Sequence, residues 1–490
     1  MNRNRIFRLA CVAAAMLSLT LPTTATATAS SVPQALRDAT QKALMSNPEV
    51  QARWHAFQAA AAEQDVARGG YLPQVDLNAT AGREDQQRPG SSTDRFSHRG
   101  AAVSLNQMIY DGFLTRSEVE RLGYARLARY YEVMDAAESM ALETLRAYAD
   151  VLRYRDLVQL AKENYVEHRR VSDQIAERVG AGVGRRVDLE QASGRLALAE
   201  SNLLTEVTNL HDVSARYLRL VGEEAPASLA ALDNGLGRVE KLPGTVSEAL
   251  QKALSSSPVI NAAIESVRAG QADIQVRRAA NQPRLDLRAS QSIDHNLDGV
   301  DGRSRDGVVQ LVLSYNLFRG GSDQARIRQA AETLNQARDL REKACRDVRQ
   351  TLSIAYNDSG RLEEQLRYLD QHQLSIAKAR EAYRQQFDIG QRTLLDLLDT
   401  ENEYFQARRA YVGASYDRVF AQARTLAGMG QLLSALDVAR ADLPSAIEAG
   451  QTRDGVDVAD LCPPDAPAAL QVDKEALFSE AMREAGERTR

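Results

Sequence analysis

The words QKALMSNPEV at 41–50 and QKALSSSPVI at 251–260 are two versions of one phrase, and YLPQVDL at 71–77 returns as NQPRLDL at 281–287. Further along, SLNQMIYDG at 104–112 returns as VLSYNLFRG at 312–320, and GVGRRVDL at 182–189 returns as GQRTLLDL at 390–397. The LVG that ends at Gly222 returns as the GMG that ends at Gly430. Five blocks in unchanged order make a tandem duplication, and such self-similarity governs the architecture. The copies are assigned to 30–225 and 245–438, with a linker at 226–244 between them. An acidic, proline-containing tail at 439–490 is expected to be loosely ordered.

Each copy carries the same succession of elements. A helix is expected over 32–69 and again over 245–281, each stopped by a proline, Pro73 or Pro283, which cannot donate to the helical ladder. Two alternating stretches follow. Val75, Leu77, Ala79 and Ala81 share one face, as do Val103, Leu105 and Ile109. The second copy offers Leu285, Leu287, Ala289 and Ile293, then Val309, Leu311, Leu313, Tyr315 and Leu317. Period two marks strands, and their length suits a tilted bilayer crossing. The polar stretches 83–99 and 294–306 read as loops between them. Then come proline-free runs from 112 to 179 and from 320 to 389, each long enough for a helix of roughly 100 Å. Leu142, Leu145, Ala149 and Leu152 recur with coiled-coil spacing, as do Ile376, Ala379 and Tyr383. Glycine-marked breaks at 180–184 and at Gly390 lead into a shorter returning helix in each copy.

The amino terminus is an address. Basic MNRNRIFR precedes an apolar run at 9–21 and small residues Ala25, Ala27 and Ala29, the pattern of a secretory leader assigned to 1–29. Cys11 leaves with it. Cys345 and Cys462 remain, and could pair in an oxidising compartment or stand as unpaired structural thiols. Composition narrows the function. With 61 Lys plus Arg against 66 Asp plus Glu, the net charge of −5 leaves no basic excess for nucleic acid. The six histidines are scattered without metal-ligand spacing, and no nucleophile elbow or phosphate loop is present. No catalytic residue, cofactor or metal is therefore expected.

No later stretch holds enough consecutive apolar residues for a membrane helix, so membrane entry requires a barrel. Four strands cannot close one, and an open sheet would leave unpaired edges in lipid. Several chains must share the barrel, and three copies would bring twelve strands. The long helices would then extend the tube off the membrane as a conduit.

The order helix, strand, strand, long helix, shorter helix, twice over, resembles the TolC family of outer-membrane efflux and secretion channels. So do NPEV at 47–50, YLPQVDL at 71–77 and, most specifically, IGQRTLLDLLDTENEYFQARRAY at 389–411. The resemblance covers about 34–435. It implies a mostly helical α+β fold: coiled-coil helices forming an α-barrel, and four strands per chain in a trimeric twelve-stranded β-barrel. It further implies a homotrimer in outer-membrane lipid, a periplasmic adaptor protein, and an inner-membrane ABC transporter or proton-driven pump. Residue by residue, Asp396 and Asp399 match the acidic pair that rings the family's periplasmic opening, and their spacing puts both on one helix face. Asp188 and Arg392 match members of the network that holds the opening shut. Phe387 stands where the family often has a tyrosine, so one gate hydrogen bond is expected to be missing. The function expected is a passive exit duct, for type I protein secretion ahead of small-molecule efflux. A periplasmic coiled-coil scaffold without a pore is the remaining alternative.

Overall fold

A computed structural model describes residues 32–87, 89, 94–232, 242–452, 462, 465 and 472–488. The leader expected at 1–29 lies outside the described residues, as do 233–241 of the linker. The first copy holds α1 (Gln34–Ser46), α2 (Pro48–Gly69), β1 (Gln74–Gln86), β2 (Asp94–Tyr110), α3 (Leu114–Gly180) and α4 (Arg186–Val221). The second holds α5 (Val246–Ser256), α6 (Pro258–Ala279), β3 (Arg284–His295), β4 (Arg303–Ser314), α7 (Ser322–Asp388) and α8 (Leu394–Gly428). Among the described residues a short α9 (Leu432–Leu436) and an α10 (Lys474–Arg488) follow. Both α3 and α7 run unbroken for 67 residues, about 100 Å.

The single helix expected at the head of each copy is two helices. Pro48 and Pro258 each open the second one, since proline lacks the N–H that a continuing helix would use. The residue before each is forced extended, and the Asn47 side chain then accepts from the Glu49 N–H at 3.0 Å. The polar stretches 83–99 and 294–306 are also not all loop. The first hairpin stays paired out to Gln86↔Asp94, where Arg95 meets Asp85 across the strands at 2.9 Å. The second stays paired out to His295↔Arg303. Ladder hydrogen bonds and charge pairs hold these ends without an apolar face.

The four strands form one antiparallel sheet in chain order, β1-β2-β3-β4. Beneath it α2 packs on α3, α3 on α6 and α6 on α7. At the far end α4 packs on α3, α3 on α8 and α8 on α7. Every tier is thus a single layer. β1, α2 and α4 stand on one flank, and β4 and α7 on the other. The main core lies midway along the molecule, where α1, α5 and α9 lie across the long helices. There Leu36, Leu44, Leu145, Tyr148, Leu250, Ile260, Leu352, Leu432 and Leu436 are fully buried.

The residues after 438 differ most from expectation. Arg440 is buried, with its guanidinium 4.8 Å over the Trp54 ring and donating to the Leu44 carbonyl at 3.3 Å. Leu443, Ala446 and Ala449 pack on Phe57, Tyr130 and Tyr131. Cys462 is disulfide-bonded to Cys345 of α7, 117 positions earlier. This part of the tail is fastened by apolar burial and a covalent tie, neither of which its proline and acid content reveals.

Candidate pore wall and helical tip

The strand register gathers the alternating residues of all four strands. Leu77 lies opposite Val103, Val75 opposite Leu105, Leu105 opposite Ala289, Ala289 opposite Val309, and Leu287 opposite Leu311. One face of the sheet is therefore apolar from edge to edge. Val75, Leu77, Val103, Val309, Leu311 and Leu313 are exposed on it. The other face carries Asp76, Asn78, Thr80, Ser104, Asn106, Arg288, Ser290 and Gln310. An apolar face of this extent is unfavourable in water, whereas in a bilayer it is the face that lipid requires. Among the described residues no helix is long and apolar enough to cross a membrane.

At the opposite end, about 100 Å away, the α3–α4 and α7–α8 turns lie side by side. Gly182 and Gly390 open these turns with φ of +77° and +78°, a left-handed conformation that costs glycine nothing. Across them Val171, Ile175 and Ala192 pack against Phe387, Leu394, Leu397 and Leu398. Phe387 is a wall of this small core, with the Arg178 guanidinium 5.3 Å over its ring. Within one chain the site is apolar, so the phenyl ring leaves no polar partner stranded.

Asp396 completes a capping box at the start of α8. Its carboxylate accepts from the Thr393 N–H at 3.2 Å and from the Thr393 hydroxyl at 2.9 Å, while its own N–H donates to that hydroxyl. The Thr393 hydroxyl, then the Thr393 N–H and Arg392, hold its carboxyl below the usual carboxylate range. Asp399 lies on the same exposed side of α8 and is ion-paired with Arg195 of α4. Asp188 and Arg392 are not brought together within one chain. Asp188 pairs with Arg185 of its own helix start at 3.5 Å. Arg392 folds back to donate to Gln386 at 2.9 Å and sits 4.3 Å over the Tyr383 ring.

Other groups join the two coils and went unread in the sequence. Arg384 of α7 pairs with Glu167 of α3 at 2.6 Å. Burial alone would raise the Glu167 carboxyl, but the guanidiniums of Arg384 and Arg170 pull it below its ordinary value. Arg408 of α8 reaches Glu163 of α3 at 3.1 Å, while Arg380 pairs with buried Glu401 at 2.7 Å within the α7–α8 coil. The repeated Arg380/Arg384 and Glu163/Glu167 spacing of four was the available signal, since it stacks like charges on one helix face. Among the described residues no His/Cys/Asp/Glu group has the shape of a metal site.

Known proteins share this arrangement. The family model for outer membrane efflux proteins matches residues 39–223 and 249–445. The outer membrane efflux protein BepC of Brucella suis is 27% identical over 75% of this chain and 79% of its own. The alkaline protease secretion protein AprF of Pseudomonas aeruginosa is 26% identical over 79% of this chain and 83% of its own. A crystal structure of a membrane protein from Pseudomonas aeruginosa superposes with a TM-score of 0.74 at 21% identity, covering 82% of this chain and 94% of that one. The two element-for-element repeats, the one-sided apolar sheet and the 100 Å helices match what that family builds. The chain belongs to the outer membrane efflux protein family, the TolC-type channels of the outer membrane, which are transport components with a long periplasmic extension and not enzymes.

Proposed function

We propose that three copies close head to tail into one tube, and that this tube is the outer-membrane exit of a type I protein secretion system driven by an inner-membrane ABC transporter through a periplasmic adaptor. The observation that carries the ring is the agreement of the flanks. The β1, α2 and α4 side is open in every tier, as is the β4 and α7 side. One heterologous contact, β4 and α7 of one copy against β1, α2 and α4 of the next, satisfies all tiers together and removes both sheet edges from lipid. A strand count of twelve makes a barrel wider than the roughly eight-stranded kind whose interior side chains just fill. At the far end Asp396 and Asp399 of three copies form an acidic collar. Asp188, Arg392 and Phe387 are the groups that would brace it between copies. A collar of carboxylates favours cations and repels anions.

The protease-secretion name of AprF, over four fifths of both chains, supports a polypeptide cargo. The likeness to BepC, named for efflux, supports a second reading in which small molecules leave by the same duct with a proton-driven pump. A deletion strain separates the two. Loss of an exported polypeptide from the medium, with drug tolerance intact, is the expected result. Drug sensitivity with an unchanged secreted fraction would replace the first reading with the second.

A further inference from the structure

The tail after Cys462 ends in a helix whose apolar side its own chain leaves uncovered. Leu477, Phe478 and Met482 of α10 fall within one arc of about 140° at 100° per residue. They are 55%, 64% and 58% exposed. Lys474 lies on the same arc. Its ammonium is 4.1 Å from the centroid of the Tyr368 ring and donates to the Tyr368 hydroxyl at 2.7 Å and to Glu364 at 3.2 Å. Lys474 thus ties this side of α10 to α7, while Leu477, Phe478 and Met482 beside it stay uncovered. No element of the described chain packs along this side.

Both described ties of the tail from Cys462 onward are on α7. The Cys345–Cys462 disulfide is the first, and Glu364 and Tyr368 lie about 28–35 Å further along that helix. α7 is the open flank of the chain. In the proposed ring it faces α4 of the neighbouring copy. Glu364 and Tyr368 stand about 36 and 30 Å from the tip end of α7. On α4, Leu204 and Val207 stand about 27 and 32 Å from the tip end, one turn apart on the exposed side. The two uncovered apolar features thus meet at one level of the seam.

We propose that α10 is a clasp between copies. Tied to α7 of its own chain, it lays Leu477, Phe478 and Met482 over Leu204 and Val207 of the next copy's α4 and closes the seam from outside. This rests on the ring reading above and adds an interface to it.

The experiment uses the full-length protein with a photoreactive benzoylphenylalanine replacing Phe478, irradiated after purification in detergent. Native mass spectrometry of the same sample counts the copies. Three copies and an adduct between two chains, mapped to the α4 peptide that holds Leu204 and Val207, are expected. A companion Leu477→Glu, Met482→Glu variant is expected to leave the copy number at three and to dissociate at least tenfold faster. Burying several large apolar side chains exceeds the energy of one such step. A trimer whose adduct maps to its own α7, to detergent or lipid, or to no peptide overturns the clasp and leaves the ring standing. So does a trimer that in whole cells couples at 478 to a different protein. A protein that is not trimeric overturns the ring itself.

Discussion

The apolar face of the sheet predicts opposite outcomes for two adjacent residues. Leu77 lies near the centre of the apolar band at 75–81, is 72% exposed in the single chain, and faces Val103 on the same side. Asn78, one residue on, pairs with Ala102 and points to the polar side. The 13 residues of β1, at about 3.3 Å each and tilted by about 45°, rise some 30 Å, which places Leu77 within the hydrocarbon. An arginine on the lipid face costs about 2–4 kcal/mol at the midplane and under about 1 kcal/mol at the interfaces; Leu77 lies about 7 Å inside one end of β1, so about 1–2 kcal/mol per copy and about 3–6 kcal/mol per three-copy barrel is expected. An arginine on the water-filled side costs under about 0.5 kcal/mol. Leu77→Arg should therefore abolish or sharply reduce insertion into lipid vesicles, whereas Asn78→Arg should insert as the parent does and shift conductance instead. The assay is protection of the strands from added protease after reconstitution, with single-channel recording of whatever inserts. Equal losses in the two variants, or a greater loss for Asn78→Arg, would refute the assignment of the faces.

Three further outcomes follow from single groups. Arg195 neutralises Asp399, so Arg195→Gln should raise cation selectivity in planar bilayers, and Asp396→Asn with Asp399→Asn should lower it; unchanged selectivity in both would move the constriction elsewhere. Burial pushes the Glu138 carboxyl up to about 8, although it accepts from the backbone N–H groups of Leu433 and Leu432. Its folded value lies above its unfolded one, so the stability it permits is full below about pH 4.5 and declines as pH rises to about 8, by about 5 kcal/mol over that window. Glu138→Gln keeps an acceptor for those amides and should flatten the decline, read as denaturation midpoints at pH 5 and pH 8. Phe387→Ala empties the tip core and should cost about 3–5 kcal/mol, seen as early hydrogen exchange at the α3–α4 and α7–α8 turns while the main core around Leu145 and Leu352 stays protected.

Much of the fold was legible because its causes are local. The 3.6-residue and two-residue periods, the prolines at 73 and 283 and the glycines at 182 and 390 each act within a few residues of chain, and the duplication repeats every such signal. The Pro48 and Pro258 breaks were equally local and were passed over, because the apolar pattern continues on both sides of them. The acidic pair was found through a resemblance in the α8 word, although its spacing alone shows only that Asp396 and Asp399 share a face.

The sequence by itself determined the two repeats, the kinds of element in each, the face on which each strand is apolar, and the need for more than one chain in the barrel. Only the tertiary structure decided that Arg195 meets Asp399, that Phe387 is buried against α3, and that Cys345 and Cys462 are joined. It alone turned the tail from a loose end into a fastened one, through Arg440 over Trp54 and Lys474 on Tyr368. Those partners lie from about one hundred to nearly four hundred residues apart in the chain. Neither periodicity nor composition records which distant surfaces come together, because that is settled by the crossing of helices about 100 Å long.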